Sequence, residues 1–163
     1  MVDYKKVEHI IERQAKAEEA FLAEFHAGNY TIHNPLVKLN PYFITPLTAI
    51  IMFKTPIRTE ATITVLGKEP AGNITHTFPA AQEHILPIYG LYAEYANKVE
   101  IVLASGEKTT VTIQTDVLEA DVPKSTYIKT TADYLGDNFM FLTAAMHAMP
   151  VGYDYQGEVR WHA

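Results

Sequence analysis

The chain has 163 residues, of which 48% are hydrophobic and 20% are charged, a composition typical of one globular domain with a remainder. The net charge of −6 argues against a nucleic-acid partner, because binding to a phosphate backbone needs a basic surface. Without cysteine the chain has neither disulfides nor thiolate metal sites. No apolar run approaches the roughly 20 residues of a membrane span, and the charged N-terminus lacks the apolar core of a secretory signal peptide.

Residues 3–27 are predicted to form one long helix that ends at Gly28, because glycine readily adopts the conformation that terminates a helix. Its apolar residues share one face at helical spacing; they are Val7, Ile10, Ile11, Phe21, Leu22 and Phe25. Gln14 and Glu18 divide this face into two patches. The pattern favours a helix packed across the edge of a domain over a homodimeric coiled coil, in which Glu18 would occupy the seam.

The middle of the chain is predicted to hold about seven short strands, with residues 54–58 as a turn around Pro56. The strand candidates are 30–39, 47–53, 61–65, 74–78, 84–88 and the two arms of a hairpin, 98–103 and 110–114. Turn signals every ten or so residues are typical of an antiparallel β-sandwich of the immunoglobulin or fibronectin III type. Residues 47–53 are apolar on both faces, so this strand requires cover from the core and from a second element.

Two turns of this sandwich have specific signatures. Gly106 is free to adopt a positive φ angle in the hairpin loop 104–107. Gly90-Leu91 resembles the fibronectin III corner, in which a tyrosine follows the leucine six residues later. That position is Asn97 here, so the usual corner hydroxyl is missing, and Tyr92 and Tyr95 are the candidates to replace it.

An acidic segment, residues 116–124, is predicted to be a linker that leads to further short strands. These candidates lie at 127–128, 139–142, 149–153 and 158–161, with a turn at 154–157. An isolated hairpin is marginally stable in water. We therefore expect either that the chain is a fragment, or that these strands join the sandwich or another chain.

No catalytic, cofactor-binding or metal-ligating residue is predicted. The histidines are His9, His26, His33, His76, His84, His147 and His162, and none of their spacings is that of a metal or catalytic motif. His33 and His84 lie on predicted strands and are expected to face solvent or to pair with a backbone carbonyl.

Other polar residues also have structural interpretations. Ser105 and Ser125 have no neighbouring base in sequence. The acidic residues Glu18, Glu19, Glu119 and Asp121 are assigned to a solvated helix face and to the linker. The tyrosines Tyr89, Tyr92 and Tyr95 are expected to cover the open end of the core, with binding of a sugar ring or a partner protein as the alternative.

Several segments resemble the bacterial aryl-sulfate sulfotransferases, over about residues 30–161. These segments are Asn-Pro-Leu-Val-Lys-Leu-Asn-Pro-Tyr at 34–42, Thr-Pro-Leu-Thr-Ala at 45–49, Gly-Leu-Tyr at 90–92 with Tyr95 and Asn97, and Asp-Tyr-Gln-Gly-Glu-Val-Arg-Trp at 154–161. The Asn-Pro and Thr-Pro spacings are the most specific part. The last segment looks like the first outer-strand turn of that family's β-propeller, a turn that occurs in many propellers.

The resemblance implies an N-terminal sandwich domain followed by a six-bladed propeller that performs the chemistry. It implies sulfate transfer from a phenolic sulfate ester to a phenol through a propeller histidine, without a nucleotide donor, and a periplasmic or exported location. Those catalytic residues lie in blades beyond this chain, so none is transferred to it, and Arg160 is not equated with the family's catalytic arginine.

The chain is therefore interpreted as a mainly β, non-catalytic N-terminal domain, truncated within the first propeller blade. The expected divisions are an N-terminal helix at 1–29, the sandwich at 30–116, a linker at 117–138 and an incomplete propeller at 139–163. The expected partners are its own propeller and a second copy of the chain. The alternative is a free-standing fibronectin-like binding module, in which the tyrosine cluster is the binding surface and the last hairpin packs into the sandwich.

Overall fold

The computed structural model describes residues 4–119, 122–125, 139–143 and 150–163, with side chains described from residue 9 onwards. The predicted strand at 127–128, Asp121 and His147 lie outside these residues. The elements are α1 (Tyr4–Ala27), β1 (Leu36–Leu39), β2 (Ala49–Val65), β3 (Ile74–Ile88), β4 (Ala96–Leu103), β5 (Lys108–Gln114), β6 (Met140–Thr143), β7 (Pro150–Tyr153) and β8 (Val159–His162). The protein is mainly β, as the sequence predicts.

Helix α1 covers the outer face of the first half of β2. Phe21 and Phe25 are buried against Ile50 and Met52 of that strand. Ile51 and Phe53 alternate with these two residues along β2 and point the other way, into the main core, because successive side chains of a strand alternate between its faces. The apolar segment 47–53 is thus covered on both sides, and the helix provides the second cover.

Strands β2 and β3 form one long, bent hairpin, so the predicted division of each into two short strands and the predicted turn at 54–58 are wrong. β2 has 17 residues and β3 has 15, and their pairing shifts register between Lys54 and Thr59 and again before Ala61. Pro56 and Pro79 fall within this irregular stretch, where the ladder does not need their missing N–H groups. The bulge accommodates Pro56 and Pro79, so β2 and β3 each continue through the segment that the prolines were predicted to interrupt.

The bend folds the five-stranded sheet onto itself. The first half of β2 pairs with β1 and the second half pairs with β4, which in turn pairs with β5. Side chains of both halves meet in one core; they include Ala49, Ile51, Phe53, Ala61, Ile63, Val65, Leu86, Val99 and Ile101. The β4–β5 hairpin turns as predicted, with Gly106 at a φ of 86°. The result is an antiparallel sandwich whose two layers share a single bent hairpin.

Strands β6, β7 and β8 form a separate three-stranded antiparallel sheet. Val151, Tyr153 and Val159 of this sheet belong to the same core as the sandwich. The predicted turn at 154–157 is present, with Gly157 at a φ of 76° and its amide donating to the Asp154 carbonyl over 2.9 Å. The C-terminal strands therefore pack onto the sandwich core, which was one of the sequence-based alternatives.

Candidate functional site

A fully buried arginine connects the C-terminal sheet to the sandwich. Arg160 on β8 is 0% exposed. Its Nε donates to the Gly90 carbonyl over 2.7 Å, and Nη1 and Nη2 both donate to the Gly72 carbonyl over 3.2 Å. Nη1 also donates to the Tyr92 hydroxyl over 2.7 Å and to Asp154 Oδ2 over 3.0 Å. We call this cluster of Arg160, Tyr92, Asp154 and the two glycine carbonyls the arginine junction.

The charge of Arg160 is balanced within the junction by Asp154, which is 4% exposed. The same carboxylate accepts backbone N–H bonds from Gln156 and Glu158 over 3.0 Å each, so it also organises the β7–β8 turn. The arginine lies against the Tyr92 ring, with Cζ 3.8 Å from the ring centroid. Burial raises the pKa of the Tyr92 phenol, and the charge of Arg160 acts in the opposite direction. The charges of Arg160 and Asp154 are thus paired with each other and hydrogen-bonded, which offsets the cost of burying them.

The junction brings the two ends of β3 together. A straight strand of 15 residues would separate its ends by about 50 Å. Gly72 precedes β3 and Gly90 follows it, yet both carbonyls accept hydrogen bonds from one guanidinium group. Arg160 therefore closes the end of the sandwich that lies opposite the bend in the β2–β3 hairpin.

The corner after Gly90 is closed by an asparagine and not by a tyrosine hydroxyl. Asn97 is 0% exposed; its Oδ1 accepts the Tyr92 amide N–H over 2.7 Å and its Nδ2 donates to the Tyr92 carbonyl over 2.9 Å. The Thr115 hydroxyl also donates to that carbonyl. Neither Tyr92 nor Tyr95 replaces the missing hydroxyl, because the Tyr92 hydroxyl lies in the arginine junction instead.

The histidines do not converge in the described part of the chain. His9, His26, His33 and His76 are exposed, and His33 lies 3.0 Å from Glu107. Of the two expectations for His84, exposure to solvent is wrong, because it is 1% exposed and stacks on Phe53. Pairing with the backbone agrees with a hydrogen bond to the Ala81 backbone: burial lowers the pKa of the ring, and this bond raises it by a smaller amount. Among the described residues, no group of three or more histidine or acidic side chains could hold a metal ion.

The remaining candidate residues that the structure describes lie apart from one another and form no common site. Ser105 lies in the β4–β5 turn, where it accepts the Glu107 amide N–H over 3.4 Å, and Ser125 lines an open cavity of about 470 Å³. Glu18, Glu19 and Glu119 are exposed. The three tyrosines do not form one surface, since Tyr92 is buried while Tyr89 and Tyr95 are 53% and 37% exposed.

Within the described residues, no helix is long and apolar enough to span a membrane.

Sequence reasoning missed Arg160, Asn97 and His84 as buried residues. For His84 a signal existed, because it alternates with Leu86 and Ile88 and period two places all three on the inward face. For Asn97 the sequence identified the corner but not its chemistry. For Arg160 the only local signal is the Asp-x-x-Gly turn that starts six residues before it.

Strand β6 leaves the most apolar exposed surface of the C-terminal sheet. All four of its residues are exposed, with Phe141 and Leu142 at 57% and 51%. The Phe141 ring packs edge-on against Trp161 at 5.5 Å, on the face opposite Val151. Among the described strands β6 pairs with β7 alone.

Comparison with known proteins agrees with the sequence resemblance. Residues 36–118, about half of the chain, match the model of the arylsulfotransferase Ig-like domain. A 70-residue stretch is 34% identical to the arylsulfate sulfotransferase AssT of Escherichia coli; it covers 40% of this chain and 12% of that relative. The chain thus spans a small part of the curated relative that it matches. Through this N-terminal Ig-like domain, the chain belongs to the arylsulfotransferase family.

Proposed function

We propose that this chain is the non-catalytic N-terminal part of an arylsulfotransferase, and that it supports a catalytic β-propeller formed by sequence C-terminal to it. In this proposal the parent enzyme transfers sulfate from a phenolic sulfate ester to a phenol through a sulfo-histidine in the propeller. The C-terminal sheet is the first part of that propeller, and the Ig-like domain holds it in place.

The family match of residues 36–118 favours this proposal over a free-standing module, and the arginine junction supports the docking of the C-terminal sheet. Arg160 belongs to the last strand of the chain, yet four of its five hydrogen bonds are made with Gly72, Gly90 and Tyr92 of the Ig-like domain. These bonds hold the C-terminal sheet on the domain, because displacing the sheet would break all four of them and leave the buried guanidinium without these partners.

The exposed surface of β6 supports the second half of the proposal. An exposed apolar strand is an unfavourable surface in water and is normally covered by another strand or layer. Phe141 and Leu142 expose apolar surface on opposite faces of that strand, because adjacent side chains alternate. A larger structure built onto β6 would bury both.

The proposal is tested by measuring sulfate transfer with two polypeptides. One is this chain, and the other is the chain together with the C-terminal propeller that the proposal requires. We expect nitrophenol release from nitrophenyl sulfate, dependent on added phenol, from the extended protein alone. Sulfate transfer by the 163-residue chain would overturn the assignment of the chemistry to the propeller.

A pair of variants of the extended protein tests the supporting role. Arg160→Met removes the buried ion pair, whereas Lys38→Met removes a partly exposed pair between Lys38 of β1 and Glu24 of α1, which are 2.6 Å apart. We expect Arg160→Met to lower the temperature at which activity is lost, and Lys38→Met to leave it nearly unchanged. Equal effects of the two substitutions would argue against a support function of the junction.

A further inference from the structure

The bend of the β2–β3 hairpin contains a hydrogen-bonded cluster around one hydroxyl. Thr55 Oγ1 lies 2.9 Å from the Ile57 carbonyl and 3.4 Å from the carbonyls of Ala81 and Gln82. It also lies 3.3 Å from Nε2 of His84 on the opposite strand. This cluster spans the stretch in which the regular ladder is interrupted, so side chains replace part of the backbone pairing there.

His84 is the titratable group of this cluster, and it is buried in the core. Its ring is stacked on Phe53 with centroids 4.5 Å apart and planes inclined by 16°. Phe53 and His84 are directly paired across the two strands. Burial lowers the pKa of the imidazole below its ordinary value of 6.5, because a charged ring is poorly solvated in an apolar core.

Arg58 and Glu60 lie within the bend, where Arg58 Nη2 donates to the Ala80 carbonyl over 2.9 Å, and the charged groups next to Phe53 and His84 lie on the helix side of the sheet. Lys54 and Glu83 are the neighbours of Phe53 and His84 and point towards α1. There, Lys54 Nζ donates to the carbonyls of His26 and Gly28, and His26 lies 3.7 Å from Glu83. Across the described residues, no ion pair includes His84. Burial lowers the pKa of its ring more strongly than the hydrogen bond to the Ala81 backbone, which favours the charged ring, raises it.

We propose that His84 makes this bend an acid-sensitive hinge, closed while the imidazole is neutral and loosened when the ring takes up a proton. A second ring N–H requires an acceptor inside the core, and the new charge must be removed from water. The open form solvates the imidazolium and therefore binds the proton more readily. The closed bend is thus fully stable above about pH 6.5 and loses stability as pH falls below that value.

His26 Nε2 lies 3.7 Å from Glu83, and both side chains are more than half exposed. An exposed pair of this kind contributes little to the attachment of α1. The acid response of the bend is therefore expected to follow the buried His84.

Amide hydrogen exchange measured by mass spectrometry tests the hinge. The unmodified chain is compared at about pH 7.5 and 5.5, with exchange corrected for its intrinsic pH dependence. We expect peptides covering 54–60 and 79–84 to lose protection several-fold at the lower pH, while peptides of β4 and β5 change less. His84→Phe keeps the stacked ring but cannot be protonated, so protection should become independent of pH.

A control variant and a second measurement complete the test. His76→Gln removes an exposed histidine from the other half of β3 and should respond to acid as the unmodified chain does. Should His84→Phe fail to fold, an NMR titration of the His84 ring in the unmodified chain decides: protonation together with loss of bend protection supports the hinge. Equal protection of the bend at both pH values, or a loss that persists in His84→Phe, would overturn it.

Discussion

Replacing Arg160 by methionine should destabilise the protein more than any substitution of an exposed charge. The substitution keeps much of the side-chain length and removes all five hydrogen bonds of the guanidinium. It leaves the Asp154 carboxylate and the carbonyls of Gly72 and Gly90 buried. Breaking a buried ion pair from one side costs about 3–5 kcal/mol. For a domain of this size, we expect a fall in melting temperature on the order of 10 °C.

The assay is urea unfolding monitored by circular dichroism, with Lys38→Met as the matched control. That control removes a short, partly exposed ion pair away from the junction and should cost less than about 1 kcal/mol. Asp154→Asn completes a double-mutant cycle, in which the two losses should be less than additive by about 1–3 kcal/mol. If Arg160→Met cost no more than Lys38→Met, the argument from burial and pairing would be refuted.

Three further substitutions test the corner, the helix and a turn by the same unfolding assay. Asn97→Ala leaves the buried amide of Tyr92 unpaired and should cost about 2–3 kcal/mol; a loss below about 0.5 kcal/mol would contradict the assigned role. Phe25→Ala should cost about 3–5 kcal/mol, whereas Ile11→Ala, at a position 59% exposed, should stay within about 0.5 kcal/mol. Gly90→Ala places a Cβ 2.3 Å from Ile74 Cδ1 and should destabilise more than Gly106→Ala, where φ is also positive but no atom lies within 4 Å.

Local patterns predicted the elements that depend on local chemistry. The β4–β5 hairpin and the turn before β8 were found because period-two alternation and a glycine at positive φ are properties of neighbouring residues. The double cover of residues 47–53 also followed from their composition. The continuity of β2 and β3 did not, because proline signals the end of a strand unless a bulge accommodates it, and the bulge depends on the partner strand.

The candidate site depended on contacts that leave no trace in the sequence. The backbone carbonyls that bind Arg160 lie 70 and 88 residues away, and a carbonyl is present at every residue. A glycine such as Gly72 signals a turn, but nothing at that position indicates a distant cation. An arginine between Val159 and Trp161 could equally be an outward-facing residue of an edge strand, so its burial became evident only with the packed sheets.

The physical domain extends further along the chain than the segment by which its family is recognised. The family match ends at residue 118, where β5 and the two layers of the sandwich are complete. Yet Tyr153 and Val159 belong to the same core, and the ends of β3 are joined by Arg160. The bend alone does not hold the two ends of β3 together. A group from another part of the chain must do so. Because that group belongs to the C-terminal sheet, we expect the Ig-like domain to be less stable when β7 and β8 are removed.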